Sequence, residues 1–301
     1  MAGGFVVSDK LSSAMKNLIT RGAVLLAAGS MLAACATPAD ETPAAEEVTT
    51  TAAEANTESV DIEDNGGAKT VPFAPEHVVA ADARSRELLE ALGVEVQEPG
   101  GDADLVVAGT ADGAAAERPD APFVDLTPRD GIPLDWEMVR QVQVLGKIFG
   151  REDEAAELDK EFSEARGRAI EGRSEKWKFS ALTVDGEEVA VQPADGDAFW
   201  QPLFEMLELK PALKPEDPAD IPALVKAKPT FLFVDEAQKD LSAEGYVPPM
   251  RVIAGSGELK ELDAVDEGRV YVAPLNAQDT ASIITYTRMF NELADQWSSS
   301  G

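Results

Sequence analysis

From residue 78 onward, short β-branched runs alternate with helix-length amphipathic stretches, separated by Gly or Pro. This alternation is the tightest constraint on the fold, because consecutive parallel strands need a crossover between them, and that crossover is usually a covering helix. Val78-Val79-Ala80-Ala81, Val94-Glu95-Val96, Leu105-Val106-Val107-Ala108 and Phe123-Val124-Asp125-Leu126 have strand composition, and Ser85 to Leu92 reads as a helix stopped by Gly93.

At Leu134 the period changes. Leu134, Met138, Val142, Leu145 and Phe149 recur every three or four residues and form one helical face, which Gly150 ends. Glu152 and Asp153 then open a second helix with acids suited to its N-terminal dipole, and Ala155, Leu158, Phe162, Ala165 and Ala169 form its stripe. Running to about residue 172, it would be roughly 30 Å long at 1.5 Å per residue, enough to link two lobes. A second alternating set follows: strand Phe179 to Val184, a hairpin-like turn over Val184-Asp185-Gly186-Glu187, strand Val189 to Val191, helix Trp200 to Leu207, strands Phe231 to Val234 and Val270 to Val272, and an amphipathic helix from Ser282 to Trp297. The expected fold is α/β: two small three-layer lobes with parallel sheets, residues 70–151 and 174–301, joined by one long interlobe helix over 152–173.

The start of the chain has a different character. Lys10, Lys16 and Arg21 precede an uncharged run from Gly22 to Ala34, too short for the roughly 20 residues a spanning helix needs and suited to a signal peptide over residues 1–34. Met15 before Lys16 makes a more usual signal start than Met1. Leu32-Ala33-Ala34-Cys35 ends on the sole cysteine of the sequence and resembles a bacterial lipobox, whose cysteine thiol receives diacylglycerol before cleavage. Cys35 is thus the expected lipidation site, with palmitate-type acyl chains anchoring the protein at the outer face of the cell membrane. From Ala36 to about Ala68 the chain carries nine acids and no base, with almost no large apolar side chain; residues 35–69 are therefore expected to be a disordered acidic tether.

Composition removes several classes. With 26 Lys and Arg against 56 Asp and Glu the net charge is −30, which repels phosphate backbones and makes nucleic acid an unsuitable partner. One histidine, His77, and one cysteine leave nothing for a multi-histidine metal site or an intramolecular disulfide. There is no Gly-x-Ser-x-Gly nucleophile and no Gly-x-x-x-x-Gly-Lys-Ser/Thr phosphate loop, and Gly109-Thr-Ala-Asp-Gly113 reads as a post-strand turn. Catalysis is not expected, nor is any protein-held metal or cofactor.

Thr70-Val-Pro-Phe-Ala-Pro-Glu-His-Val-Val79, Glu87-Leu-Leu-Glu-Ala-Leu-Gly-Val94, the stretch from Pro133 to Leu158, and Gly268-Arg-Val-Tyr271 with the terminal helix together resemble substrate-binding lipoproteins of iron-siderophore ABC importers. These form the helical-hinge class that includes vitamin B12 binders. The resemblance covers residues 70 to 298 and rests on the order of its motifs. It implies a cleft at the carboxyl ends of the strands, small closure about a continuous helix, and capture of a ferric siderophore whose iron is held by the chelator. Presentation to an importer permease by a monomeric receptor is also implied.

Ferric siderophores are bulky and often anionic, so arginine forks and aromatic walls are the side chains to look for. Arg84, Arg129, Phe199, Trp200, Tyr246 and Asn276 follow strand ends or lie in loops and are the ligand-contact candidates. Competing readings pair Arg84 with Asp82 or Glu87, pair Arg129 with Asp130, make Trp200 the first core anchor of its helix, and leave Tyr246 and Asn276 to loop packing. His77 is expected on the side away from the cleft, and Tyr271 in the core.

The sequence also departs from the family pattern. Between Val96 and Leu105 only Gln97 to Asp104 stands where the family has a helix, so the first lobe is trimmed. Of the two glutamates that dock such receptors onto permease arginines, Glu117 is the nearest match in the first lobe. In the second, Pro222 occupies the expected position and Asp220 is the substitute. These departures keep an alternative open, a receptor-fold lipoprotein that has lost transport and serves as a structural or partner-binding subunit of an envelope complex.

Overall fold

The computed structural model describes residues 58–98, 102–116, 121–193, 199–243 and 245–299; the signal, Cys35, Glu117 and most of the expected tether lie outside them. The first described elements are an antiparallel hairpin, β1 (Ser59–Asp64) and β2 (Gly67–Pro72), with Asp64 opposite Gly67. This corrects the tether, which was expected to run to residue 69. Two residues, Asn65 and Gly66, make the turn, and Asn-Gly between alternating strands is a strong short-range hairpin signal. Ile62 and Val71 are buried, so a few apolar side chains at period two suffice.

The first lobe continues through β3 (Val78–Ala80), α1 (Ala83–Ala91), β4 (Val96–Gln97), β5 (Leu105–Ala108), α2 (Ala111–Ala115) and β6 (Phe123–Asp125). Its sheet has the order β4-β3-β5-β6, parallel throughout. Every residue of β3 and β5 is buried, as expected of strands covered on both faces. The hairpin extends this edge: Asn65 donates its backbone N–H to the Asp125 carbonyl at 3.0 Å, and Asp125 donates its own to the Asp64 carboxylate at 2.8 Å. α3 (Leu134–Phe149) ends on Gly150, which takes the left-handed φ of 61° that a helix C-terminus favours in glycine. α4 (Glu152–Gly172) is the long helix.

The second lobe contains β7 (Phe179–Asp185), β8 (Glu188–Val191), α5 (Trp200–Met206), α6 (Ile221–Ala227), β9 (Phe231–Glu236), α7 (Pro249–Gly255), α8 (Asp263–Asp266), β10 (Val270–Val272), α9 (Ala277–Thr280) and α10 (Ile283–Ser299). Its sheet order is β10-β9-β7-β8. The sheet is mixed rather than wholly parallel, since β8 returns antiparallel to β7 through the turn at Gly186. Period two divides its strands: Phe179, Ala181, Phe231, Phe233 and Tyr271 pack on one face, and Leu182, Val184, Leu232, Val234 and Val270 on the other.

The two sheets are separate, but their cores are not. The cluster on the aromatic face of the second sheet runs without a break through α10, α4 and α3 into the first lobe. α10 packs along α4, with Phe290 5.6 Å from Phe162, and these two helices carry apolar side chains toward both sheets. Among the described residues, no helix is long and apolar enough to cross a membrane.

Candidate functional site

At the carboxyl edge of the first sheet, one carboxylate organises two loops. Asp82 caps α1 by accepting from Ser85 N–H at 2.8 Å, and its second oxygen accepts from Gly109 N–H at 2.8 Å and Thr110 N–H at 3.0 Å. Gly113 abuts that oxygen, so a Cβ there would collide with it.

Arg84 is 9% exposed. Its Nε donates to the Thr280 carbonyl at 2.7 Å and Nη1 to the Gly109 carbonyl at 3.3 Å. Burial lowers its pKa, against the pull of Tyr286, Asp82 and Glu87. Beside it, Glu87 accepts from the Ser282 and Thr285 hydroxyls. The segment following β3 therefore meets the segment following β10, and the carboxyl edges of the two sheets come together here. Arg84 was expected to face ligand; instead it closes the seam between lobes. Neither Asp82 nor Glu87 is its hydrogen-bond partner, because the carbonyls lie within reach of the buried guanidinium.

Arg129, after β6, forks onto Glu137: Nε and Nη2 both reach Oε1, at 2.9 and 2.6 Å, and Arg140 Nη2 reaches Oε2 at 2.6 Å. The Glu137 side chain is fully buried. Burial alone would raise its pKa, but the hydrogen bonds from Arg129 and Arg140 outweigh it and hold the carboxyl below the usual range. Arg129 is thus paired to Glu137, not Asp130. It also lines a cavity of about 340 Å³ on the flank between the hairpin and α3, with Arg140, Lys147, Glu63 and Asp64.

In the second lobe, Trp200 is fully buried and Phe199 nearly so. The Trp200 ring lies 5.2 Å from Phe233 and 4.7 Å from Phe199. These two are core anchors of α5 and form no exposed wall. Tyr246 is half-buried and donates its hydroxyl to Glu236 at 3.2 Å, at the carboxyl end of β9. Asn276 is exposed, with a left-handed φ of 63° before α9. Asp220 caps α6, accepting from Ala223 N–H at 2.8 Å. His77 pairs with Asp104 ahead of β3, away from these edges, and Tyr271 is buried and donates to Glu292 at 2.6 Å.

The residues that motif reasoning missed are apolar. Among the described residues the exposed large hydrophobic side chains are Ile132 (40%), Trp136 (70%), Leu241 (45%), Met250 (38%) and Leu275 (38%). All five lie on segments leaving the carboxyl ends of β6, β9 and β10. Trp136 had a legible signal, since it falls off the Leu134-Met138-Val142 stripe of α3. Arg166 of α4 braces these surroundings, donating to Asp135 of α3 at 3.0 Å and to the Met206 carbonyl of α5 at 2.8 Å. Among the described residues, no group of three or more His, Cys, Asp or Glu is placed to hold a metal ion.

Comparison with solved structures places this architecture. The chain is similar to the siderophore binding protein BauB, solved with two molecules of acinetobactin and ferric iron, at 16% identity and TM-score 0.66, covering 80% of this chain and 99% of that one. It is similar to the periplasmic catecholate-siderophore binding protein VctP from Vibrio cholerae at 13% identity and TM-score 0.65, covering 79% and 100%. A TroA-like periplasmic binding protein from Xylanimonas cellulosilytica matches at 21% identity and TM-score 0.62, covering 80% and 99%. No family model and no curated protein matches the sequence. At these identities the likeness establishes the fold, and the two-lobed α/β architecture expected from the sequence is the observed one.

Proposed function

We propose that this protein is a lipid-anchored extracytoplasmic receptor that captures a ferric siderophore between the strand ends of its two sheets and presents it to an ABC importer. The carrying observation is the gathering of exposed apolar side chains, Trp136 foremost, on the carboxyl-end segments of a fold shared with siderophore binders. Pockets in α/β sheets form at such ends, and burying a Trp face with neighbouring Leu and Ile contributes about 25 cal/mol per Å² of apolar surface.

Binding makes and breaks no covalent bond of the ligand. The Arg84–Thr280 contact and the Arg166 braces hold the lobes in a nearly fixed relation, so closure on ligand is small and little ordering cost opposes affinity. Cys35 supplies the acyl anchor, the acidic segment ahead of the hairpin supplies reach, and Glu117 and Asp220 dock a monomeric receptor onto the permease. Asp220 keeps a helix-capping role in this reading, using the same carboxylate.

The test is fluorescence titration of the protein with ferric hydroxamates, ferric catecholates, ferric citrate and haem. Trp200 and Trp297 are buried and Trp177 is partly so, which leaves Trp136 as the reporter. Saturable quenching by at least one chelate, greatly reduced in Trp136→Phe, is expected. Silence from every chelate, repeated by calorimetry, would overturn the receptor reading and favour the structural-subunit alternative.

A further inference from the structure

The same strand ends carry information about ligand charge. In the described segments that leave them, three of the bases are already engaged by the protein. Arg84 is buried on two carbonyls, Arg129 forks onto Glu137, and Lys239 pairs with Asp279. On the connection from β9, Arg251 is exposed and is outnumbered by Glu236 and Asp240, and hydrogen bonds from Ser242 keep the Asp240 carboxyl below its ordinary range. Glu236 is held in place at the edge by the Tyr246 hydroxyl on one oxygen and the Gln238 N–H at 3.0 Å on the other. What these ends offer a ligand is chiefly apolar surface and fixed carboxylate, with Arg251 as an exposed base.

Each catecholate binds ferric iron as a dianion, so a tris-catecholate complex is a trianion; each hydroxamate binds as a monoanion, so a tris-hydroxamate complex is neutral, or cationic with a pendant amine. A trianion entering this edge would meet Glu236 and Asp240 against the one exposed guanidinium of Arg251, in a protein whose net charge is −30. Resting on the receptor reading above, we infer that the ligand is a neutral or cationic ferric hydroxamate, and that Glu236 is a specificity-determining residue that disfavours tris-catecholates.

The experiment compares ferrioxamine B (cationic), ferrichrome (neutral) and ferric enterobactin (trianionic) on the full chain by calorimetry, as sodium chloride is raised from about 0.05 to 0.5 M. At least one hydroxamate is expected to bind about tenfold or more tighter than the tris-catecholate. The gap should narrow with salt and shrink about threefold or more in Glu236→Gln, which keeps the side-chain size and a hydrogen-bond acceptor. Equal or tighter tris-catecholate binding, or a gap unmoved by both salt and the substitution, would overturn the charge inference while leaving the receptor reading intact. Failure of all three chelates, together with silence from ferric citrate and haem, would remove both. The wild-type salt series decides the matter even if Glu236→Gln does not fold.

Discussion

Arg84 and Thr280, 196 positions apart in sequence, are joined by a 2.7 Å hydrogen bond from Nε to the backbone carbonyl. The bond ties α1 to the segment between β10 and α10, where Glu87 also accepts from Ser282 and Thr285. Arg84→Met keeps the apolar stem but leaves the Thr280 and Gly109 carbonyls unpaired in a buried seam. We expect a loss of about 2 kcal/mol in urea unfolding, with faster amide exchange over Ala277–Thr280. An unchanged unfolding midpoint would show that the seam contributes little.

Trp136 is 70% exposed, so its removal leaves the core untouched. Trp136→Ala should shift stability by no more than about 0.5 kcal/mol, yet weaken ferric-chelate binding five- to tenfold, the worth of one stacked aromatic wall at about 1 kcal/mol. Thermal melting and calorimetry on the same preparation separate the two effects.

The Glu137 carboxyl is held below the ordinary glutamate range by Arg129 and Arg140, against the effect of burial. An unfolded chain takes up the proton near the ordinary value while the folded one resists it. Between those two pKa values the unfolded state binds more protons, and stability falls as pH falls. The contribution is fully present above about pH 4.5 and is lost as pH drops through the folded pKa. Glu137→Gln should cost about 2 kcal/mol at pH 7 and flatten the acid limb of a melting-temperature profile below about pH 4.5. An acid limb of wild-type steepness in the variant would contradict the assignment.

Trp200 is fully buried against Phe199, Phe204 and Phe233. Trp200→Ala should therefore destabilise by about 3 kcal/mol or more through loss of core packing, while Trp200→Phe leaves chelate affinity within twofold. A large affinity loss in Trp200→Phe at preserved stability would return this residue to the site.

The sheets and long helices were legible because each leaves a periodic trace: Leu105 to Ala108 as an unbroken buried run, and Leu134 to Phe149 and Glu152 to Gly172 as stripes. The hairpin at Ser59–Pro72 was hidden by its acids. Asp61 and Glu63 point away from the core, whereas Asp64 is buried and tied to Lys69 and the Asp125 N–H, so charge density masked the turn signal of Asn65-Gly66. The site was harder to read for a different reason. Position after a strand end identified Arg84 and Arg129, but a single sequence does not reveal that carbonyls of Thr280 and Gly109, or the carboxylate of Glu137, already claim them. Trp200 was chosen for its loop, and the packing of Phe233 beneath it decided otherwise.

The central claim is that a ferric chelate sits between the strand ends of the two lobes. Crystals grown with the tightest-binding chelate, measured at the iron absorption edge, test it directly. An anomalous peak flanked by Trp136 on one lobe and by the segment bearing Leu241 or Leu275 on the other is the predicted result. A peak elsewhere, such as the flank cavity beside Arg140 and Lys147, would contradict it.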